Sequence, residues 1–187
     1  MCIMLLYHGT IDKYAHDIIA NGIDLRKSKS FLDFGPGFYT TTSRAFAENT
    51  AKLRMKRYNA FHKEAQVGWK VIELVCDETE LQTLNVKKFQ LHDAEWGGFI
   101  IANRCNNPSV HTAYDNNTKC QYDIVSGPTA DGKGTLTPIV AAVNKGGIRL
   151  EDVDCTKFAP SEHGIWGEQT SFHTEKSLAC IKKITML

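Results

Sequence analysis

Hydrophobic residues run almost unbroken from Cys2 to Tyr7, the pattern of a strand buried on both faces. The run ends in Tyr7-His8-Gly9-Thr10. Tyr14, Ala15, Ile18 and Ile19 then recur at helical spacing, and Asn21-Gly22 gives a stop signal, so a helix is predicted over 11–21. Residues 23–33 read as loop. Asp33-Phe34-Gly35-Pro36-Gly37 is turn chemistry, because proline fixes φ and glycine accepts backbone angles closed to other residues. The turn feeds Phe38-Tyr39-Thr40-Thr41, whose aromatic and β-branched residues predict a strand, with Thr42 or Ser43 able to cap the next helix. That helix is predicted over about 43–62, with Phe46, Thr50, Leu53 and Phe61 on its apolar side and Lys52, Arg54, Lys56 and Arg57 making it basic. Such a basic run reads either as a solvated face or as a source of cations for a ligand phosphate.

In the second half, Val67–Cys76 predicts a strand, and Leu84, Val86 and Phe89 suggest a short one. Asp93 is placed to cap a helix running to Arg104, weakened by Gly97-Gly98. Residues 106–119 are polar and predicted as loop. Gln121–Ser126 predicts a strand, Asp131-Gly132-Lys133-Gly134 a turn, and Thr137–Asn144 a short helix ending at Gly146-Gly147. Residues 152–167 look irregular, Glu168–Thr174 strand-like, and Glu175–Lys183 a closing helix capped by Thr174. Short strands among unevenly spaced helices lack a regular βαβ rhythm, so a single α+β domain over 1–187 is expected.

The 187 residues, 42% hydrophobic and 23% charged, suit one globular domain. A formal net charge of +1 gives no overall pull toward nucleic acid or an anionic membrane. No apolar run approaches the roughly 20 residues of a membrane helix. Met1-Cys2-Ile3-Met4-Leu5-Leu6 is too short and lacks the basic residues of a signal peptide, so a cytoplasmic location is expected. The six cysteines form no C-x-x-C pair and are expected as free thiols. Histidines and acids show no metal-ligand spacing; His92-Asp93 reads as surface.

Three stretches carry chemistry when taken together: Tyr7-His8-Gly9-Thr10, Gly37-Phe38-Tyr39-Thr40-Thr41 and Glu168-Gln169-Thr170-Ser171-Phe172. Taken alone, His8 reads equally as a core histidine and Tyr39 as a core aromatic. In this order and spacing they resemble the signature of ADP-ribosyltransferases, in the branch of diphtheria-type toxins and poly-ADP-ribose polymerases. Most of the chain also resembles a bacterial family of uncharacterised domains with that fold. The shared pieces are Asp33-Phe34-Gly35, Asn103-Arg104, Tyr122-Asp123-Ile124-Val125, Gly127-Pro128, Ala130-Asp131, and Gln169 ahead of Phe172-His173-Thr174-Glu175-Lys176.

The resemblance implies two packed, mainly antiparallel sheets around an NAD cleft with flanking helices. It implies NAD as substrate and His8, Gly9, Thr10, Phe38, Tyr39 and Thr40 as the residues binding it. His8 would bond a hydroxyl of the adenosine-side ribose, and the Gly9 backbone would read the nicotinamide carboxamide, glycine being apt because a side chain would block that approach. Tyr39 would stack on the nicotinamide ring, an offset aromatic pair worth about 0.5–1.5 kcal/mol beyond burial. The family's catalytic glutamate falls on Gln169, with Glu168 just before it, and its second stacking tyrosine falls on Thr50.

Strand alternation puts Glu168, Thr170 and Phe172 on one face and Gln169, Ser171 and His173 on the other. If Phe172 faces the core, Gln169 faces the cleft; alternatively the strand starts later and Glu168 swings in from the loop. The preceding loop, with His163 and Trp166, would contact the acceptor, unless Trp166 packs that loop down. Asp123 and Asp131 fall in family-like segments. The implied activity is mono-ADP-ribosylation of a macromolecule, a protein rather than a nucleic acid. The alternatives are an NAD glycohydrolase or a non-catalytic NAD- or ADP-ribose-binding module. The RNA 2′-phosphotransferase relatives use basic residues around their phosphate, and Tyr39 stands where such a residue is expected.

Overall fold

β1 (Ile3–Ile11), β3 (Trp69–Asp77) and β7 (Ile181–Met186) form a three-stranded antiparallel sheet in the order β1-β3-β7. β2 (Phe38–Thr40), β6 (Glu168–Phe172), β5 (Ile124–Pro128) and β4 (Val86–Lys88) form a four-stranded sheet in that order, antiparallel except for the β4–β5 pair. The computed structural model describes residues 3–130, 135–158 and 167–187, and over these the protein is an α+β fold built on the two sheets.

Strand alternation decides what each face buries. Phe38, Phe172 and Ile124 stand in register across β2, β6 and β5, and they join Leu6, Ile72 and Leu74 of the other sheet in one core. On the opposite face Val125 meets Phe34, Phe89 and the buried side of α4 (Ala94–Arg104), including Trp96, Phe99, Ile100 and Ile101. Each large side chain so buried contributes roughly 1.5–3 kcal/mol. Hydrophobic packing therefore holds the sheets together. Among the described residues their only backbone bonds to each other are Tyr7 N–H to Thr41 O at 2.7 Å and Thr41 N–H to Tyr7 O at 2.9 Å.

Several elements differ from the sequence reading. β1 is an edge strand, and its apolar start is not buried on both faces: Ile3 is 55% and Leu5 45% exposed. α1 (Asp12–Asn21) ends at Gly22 as expected, and α2 (Arg44–Phe61) is capped by Ser43 Oγ, which accepts from Phe46 N. Yet α2 buries Ala47 and Ala51, while Leu53 and Phe61 are exposed. Its approach to β1 is too close for large side chains.

α3 (Glu78–Leu81) leads from β3 toward β4. Residues 106–119, predicted as loop, contain α5 (Pro108–Ala113) and α6 (Asn117–Cys120). Their polar residues are caps: Asn107 accepts from Ser109 N, Asn116 from Lys119 N, and Pro108 sits where a helix tolerates proline. α7 (Thr137–Asn144) falls where predicted.

The closing helix does not extend over 175–183. α8 (Glu175–Leu178) is one turn with a Thr174–Ser177 capping box, and β7 follows. Pairing with β3 gives Ile181 and Ile184 partners that a continued helix could not, so tertiary context overrides the local pattern. The described cysteines are free, and no helix among the described residues is long and apolar enough to cross a membrane.

Candidate functional site

A cavity of about 270 Å³ opens where the two sheets meet, and each sheet supplies one wall. β1 brings Tyr7, His8 and Gly9 to the first wall. The backbone groups of Tyr7 bond Thr41, so alternation turns those of Gly9 to the same strand edge. There Gly9 O accepts from Arg54 Nη1 at 3.0 Å. A Cβ on Gly9 would lie 1.8 Å from the Ala47 carbonyl oxygen. The packing of α2 against β1 therefore already requires a glycine at this position.

His8 Nδ1 lies 2.6 Å from Tyr39 O, which can only accept, so Nδ1 carries the proton and Nε2 is left as an acceptor. That nitrogen looks toward Arg54 Nη1 at 3.5 Å, and the ring stacks on Phe38 with centroids 4.5 Å apart. Burial, followed by the Arg54 charge, lowers the His8 pKa from 6.5 to about 3, and the ring is neutral. Arg54 itself is exposed, and among the described ion pairs no carboxylate meets it.

The second wall is a polar network. Tyr39 stands opposite Ser171 in the β2–β6 register, and Gln169 precedes Ser171 by one alternation, so the three side chains share a face. The turn ahead of β2 folds over that face. Tyr39 Oη donates to Gly35 O at 2.7 Å and accepts from Phe34 N at 2.9 Å. Gly35 has φ +86°, a conformation only glycine adopts readily. Burial and the nearby Asp33 carboxylate raise the Tyr39 pKa, which keeps the hydroxyl protonated for its donor role.

The same turn inserts Asp33, 8% exposed, between two partners. Arg104 Nε donates to Asp33 Oδ1 at 2.6 Å with Nη2 on the same oxygen, and Gln169 Nε2 donates to Oδ2 at 2.8 Å. His173 steadies the turn: its Nδ1–H donates to Pro36 O at 2.7 Å, and its Nε2 accepts from Ser171 Oγ at 2.7 Å. Burial lowers the His173 pKa, consistent with this neutral tautomer.

Of the residues singled out in the sequence, His8, Gly9, Tyr39, Thr40 and Gln169 line the cavity, and Thr50 does so too. Thr10, Phe38 and Glu168 are not brought to it. Thr10 is buried opposite Lys70 of β3, Phe38 packs in the core between the sheets, and Glu168 is exposed at the start of β6. Phe172 is fully buried, so β6 turns its odd-numbered face, with Gln169, to the cavity. Asp123 has a structural place: it accepts from Thr174 Oγ1 at 2.7 Å and Asn85 N at 3.0 Å, tying α8 and the start of β4 to β5. His163, Trp166 and Asp131 lie outside the described residues.

Sequence reasoning assigns no role in the site to Asp33 or Arg104, and it leaves Arg54 in a basic run that reads either as a solvated face or as a source of cations for a ligand phosphate. The only local signal is that Asp33 opens the turn leading to Tyr39. Nothing in a single sequence couples it to Arg104, 71 positions away.

The fold and site together define an α+β protein with a cleft at the seam of two sheets, cationic on one wall and carboxylate-bearing on the other. The chain belongs to the family described as Protein of unknown function (DUF3990), whose model matches residues 4–183. No curated protein and no solved structure matches it.

Proposed function

We propose that the protein has the ADP-ribosyltransferase fold and is an NAD-dependent mono-ADP-ribosyltransferase acting on a macromolecule, a protein rather than a nucleic acid. The observation that carries the reading is convergence: His8 from β1, Tyr39 from β2 and Gln169 from β6, drawn from three separate motifs, line one cavity. Its volume of about 270 Å³ is near the low end for ligand pockets, roughly 300–1,000 Å³. It would receive the nicotinamide and its ribose, with the rest of the dinucleotide lying outward along the cleft.

In the reaction, the bond from ribose C1′ to the nicotinamide nitrogen breaks and both electrons leave with neutral nicotinamide. An acceptor nucleophile then bonds C1′ and gives up its proton. Positive charge builds on the ribose meanwhile, so groups that meet it only in the transition state accelerate the step. Neutral His8 offers Nε2 to a ribose hydroxyl, Tyr39 offers a ring fixed by its bonded hydroxyl, and Gln169 is the polar group on β6. Arg54 donates to the Gly9 carbonyl, meets no carboxylate among the described ion pairs, and is a cation beside the expected path of the diphosphate. A second reading, NAD hydrolysis or binding alone, is favoured by one observation: position 169 is an amide, not an acid.

The test is thermal melting and nicotinamide release with NAD. Wild-type protein should gain about 2.7 kcal/mol at 100 times the dissociation constant, and Tyr39→Ala should bind several-fold more weakly. Label transferred to protein in a lysate marks a transferase, whereas free ADP-ribose marks a glycohydrolase. Absence of nicotinamide release at millimolar NAD would remove the transferase, and absence of stabilisation as well would remove the binding reading.

A further inference from the structure

We propose that Asp33 sets the polarity of the Gln169 carboxamide, turning its oxygen toward the ligand, and so acts as a positioning residue. The identity of that ligand rests on the function proposed above; the geometry does not. A glutamine side chain has a donor end and an acceptor end, whereas an ionised carboxylate only accepts. Arg104 places Nε and Nη2 on Asp33 Oδ1, a charge-assisted pair that holds the carboxylate in place. Its other oxygen, Oδ2, faces Gln169 at 2.8 Å, and only Nε2 can stand there as donor. Nε2 uses one of its two hydrogens on Asp33, and Oε1 is the acceptor of the Gln169 amide left for the cavity.

That choice of end matters for the chemistry. A carbonyl oxygen facing the ribose accepts from a hydroxyl and lies with its negative end toward developing positive charge. The reversed amide would present N–H donors and oppose that charge. The aspartate therefore gives a neutral side chain the acceptor character that a glutamate would have. The seat is firmly built. Tyr39 Oη bonds both Phe34 N and Gly35 O directly after Asp33, and His173 holds Pro36 O on the same turn.

Exchanging the two groups tests this. In Asp33→Asn the new amide keeps an oxygen for Arg104 but presents N–H where Oδ2 stood, so Gln169 must turn over. Turnover of NAD should fall on the order of 10²-fold, with KM changed less than about threefold, as for an interaction made chiefly in the transition state. Adding Gln169→Glu to Asp33→Asn restores an oxygen on both sides and should recover at least about tenfold over the single variant. A double variant as slow as Asp33→Asn overturns the proposal, and so does an Asp33→Asn protein with wild-type turnover.

A readout independent of chemistry is the Gln169 side-chain amide in ¹⁵N-labelled protein. The N–H proton bonded to Asp33 should be slow to exchange in the wild type and lose that protection in Asp33→Asn. If wild-type protein cleaves no NAD, the proposed function fails, and this signal alone decides the inference: protection unchanged by Asp33→Asn overturns it. Should Asp33→Asn not fold, Gln169→Glu alone sets two carboxylates side by side. Like charges raise one pKa, so NAD cleavage, or the melting temperature if there is no cleavage, should show a carboxyl titrating above its usual range. An unshifted profile overturns the proposal.

Discussion

On the β1–α2 side of the cleft, position is set by how closely two main chains approach: Gly9 lies against the Ala47 carbonyl and Ala51 is fully buried. On the β2–β6 side it is set by side-chain hydrogen bonds, from Tyr39 to the backbone of Phe34 and Gly35 and from Arg104 and Gln169 to Asp33. The first wall should be intolerant of added volume and indifferent to most polar exchange at its surface. The second should tolerate isosteric changes in shape and fail on single-atom changes in hydrogen bonding. The charges divide the same way, with a guanidinium on the first wall that meets no carboxylate among the described residues and a paired carboxylate on the second.

Gly9→Ala should break the first wall with the largest effect. Its Cβ meets backbone rather than a movable side chain, so the cost should reach or exceed the roughly 3 kcal/mol upper figure for overpacking. Urea denaturation would show this, and a cost below about 1 kcal/mol would mean that α2 yields easily.

Arg104→Met should break the second wall by leaving the Asp33 carboxylate without its cation. The cost should be about 2 kcal/mol, below the range of about 3–5 for fully buried pairs, because 24% of the Arg104 side chain is exposed. The same denaturation series measures it, and Arg104→Lys should recover only part of the loss.

Mild acid should weaken both walls. His8 and His173 are neutral in the fold with lowered pKa values, whereas the unfolded chain takes protons near 6.5. The native state therefore binds fewer protons. The stability this gives is complete above pH 6.5 and is lost as pH falls, for His8 across 6.5 to about 3. Between pH 7.5 and 5.5 His8 alone should remove about 1.4 kcal/mol, with His173 adding in the same direction. A flat pH dependence over that interval would show that neither ring is held neutral.

The wall built by hydrogen bonds was the harder of the two to read from sequence. Elements with strong local signals were legible: Ser43 and Asp93 as caps, Gly22 as a stop, and the short strand after the Gly-Pro-Gly turn. Phe172 and Gln169 fell on opposite faces because the period of a strand is fixed. What failed depended on distant partners. Ile181–Met186 becomes a strand because β3 offers an edge, and Leu53 is exposed because β1 approaches α2 at a glycine. Asp33 was visible as a turn residue, but its value to the site comes from Arg104 and Gln169, 71 and 136 positions away.

The single bridge between Tyr7 and Thr41 has a consequence for how the cleft works. Beyond it β1 and β2 part, and no further backbone bond joins the two sheets among the described residues. The seam is thus a zipper closed at one tooth. The polar edge of β1 at Gly9 is left facing a gap where a neighbouring strand would otherwise run, its carbonyl bonded by the guanidinium of Arg54. On the function proposed above, a flat ligand with a donor and an acceptor on one edge would occupy that gap as a missing strand does, completing the zipper instead of filling a hole.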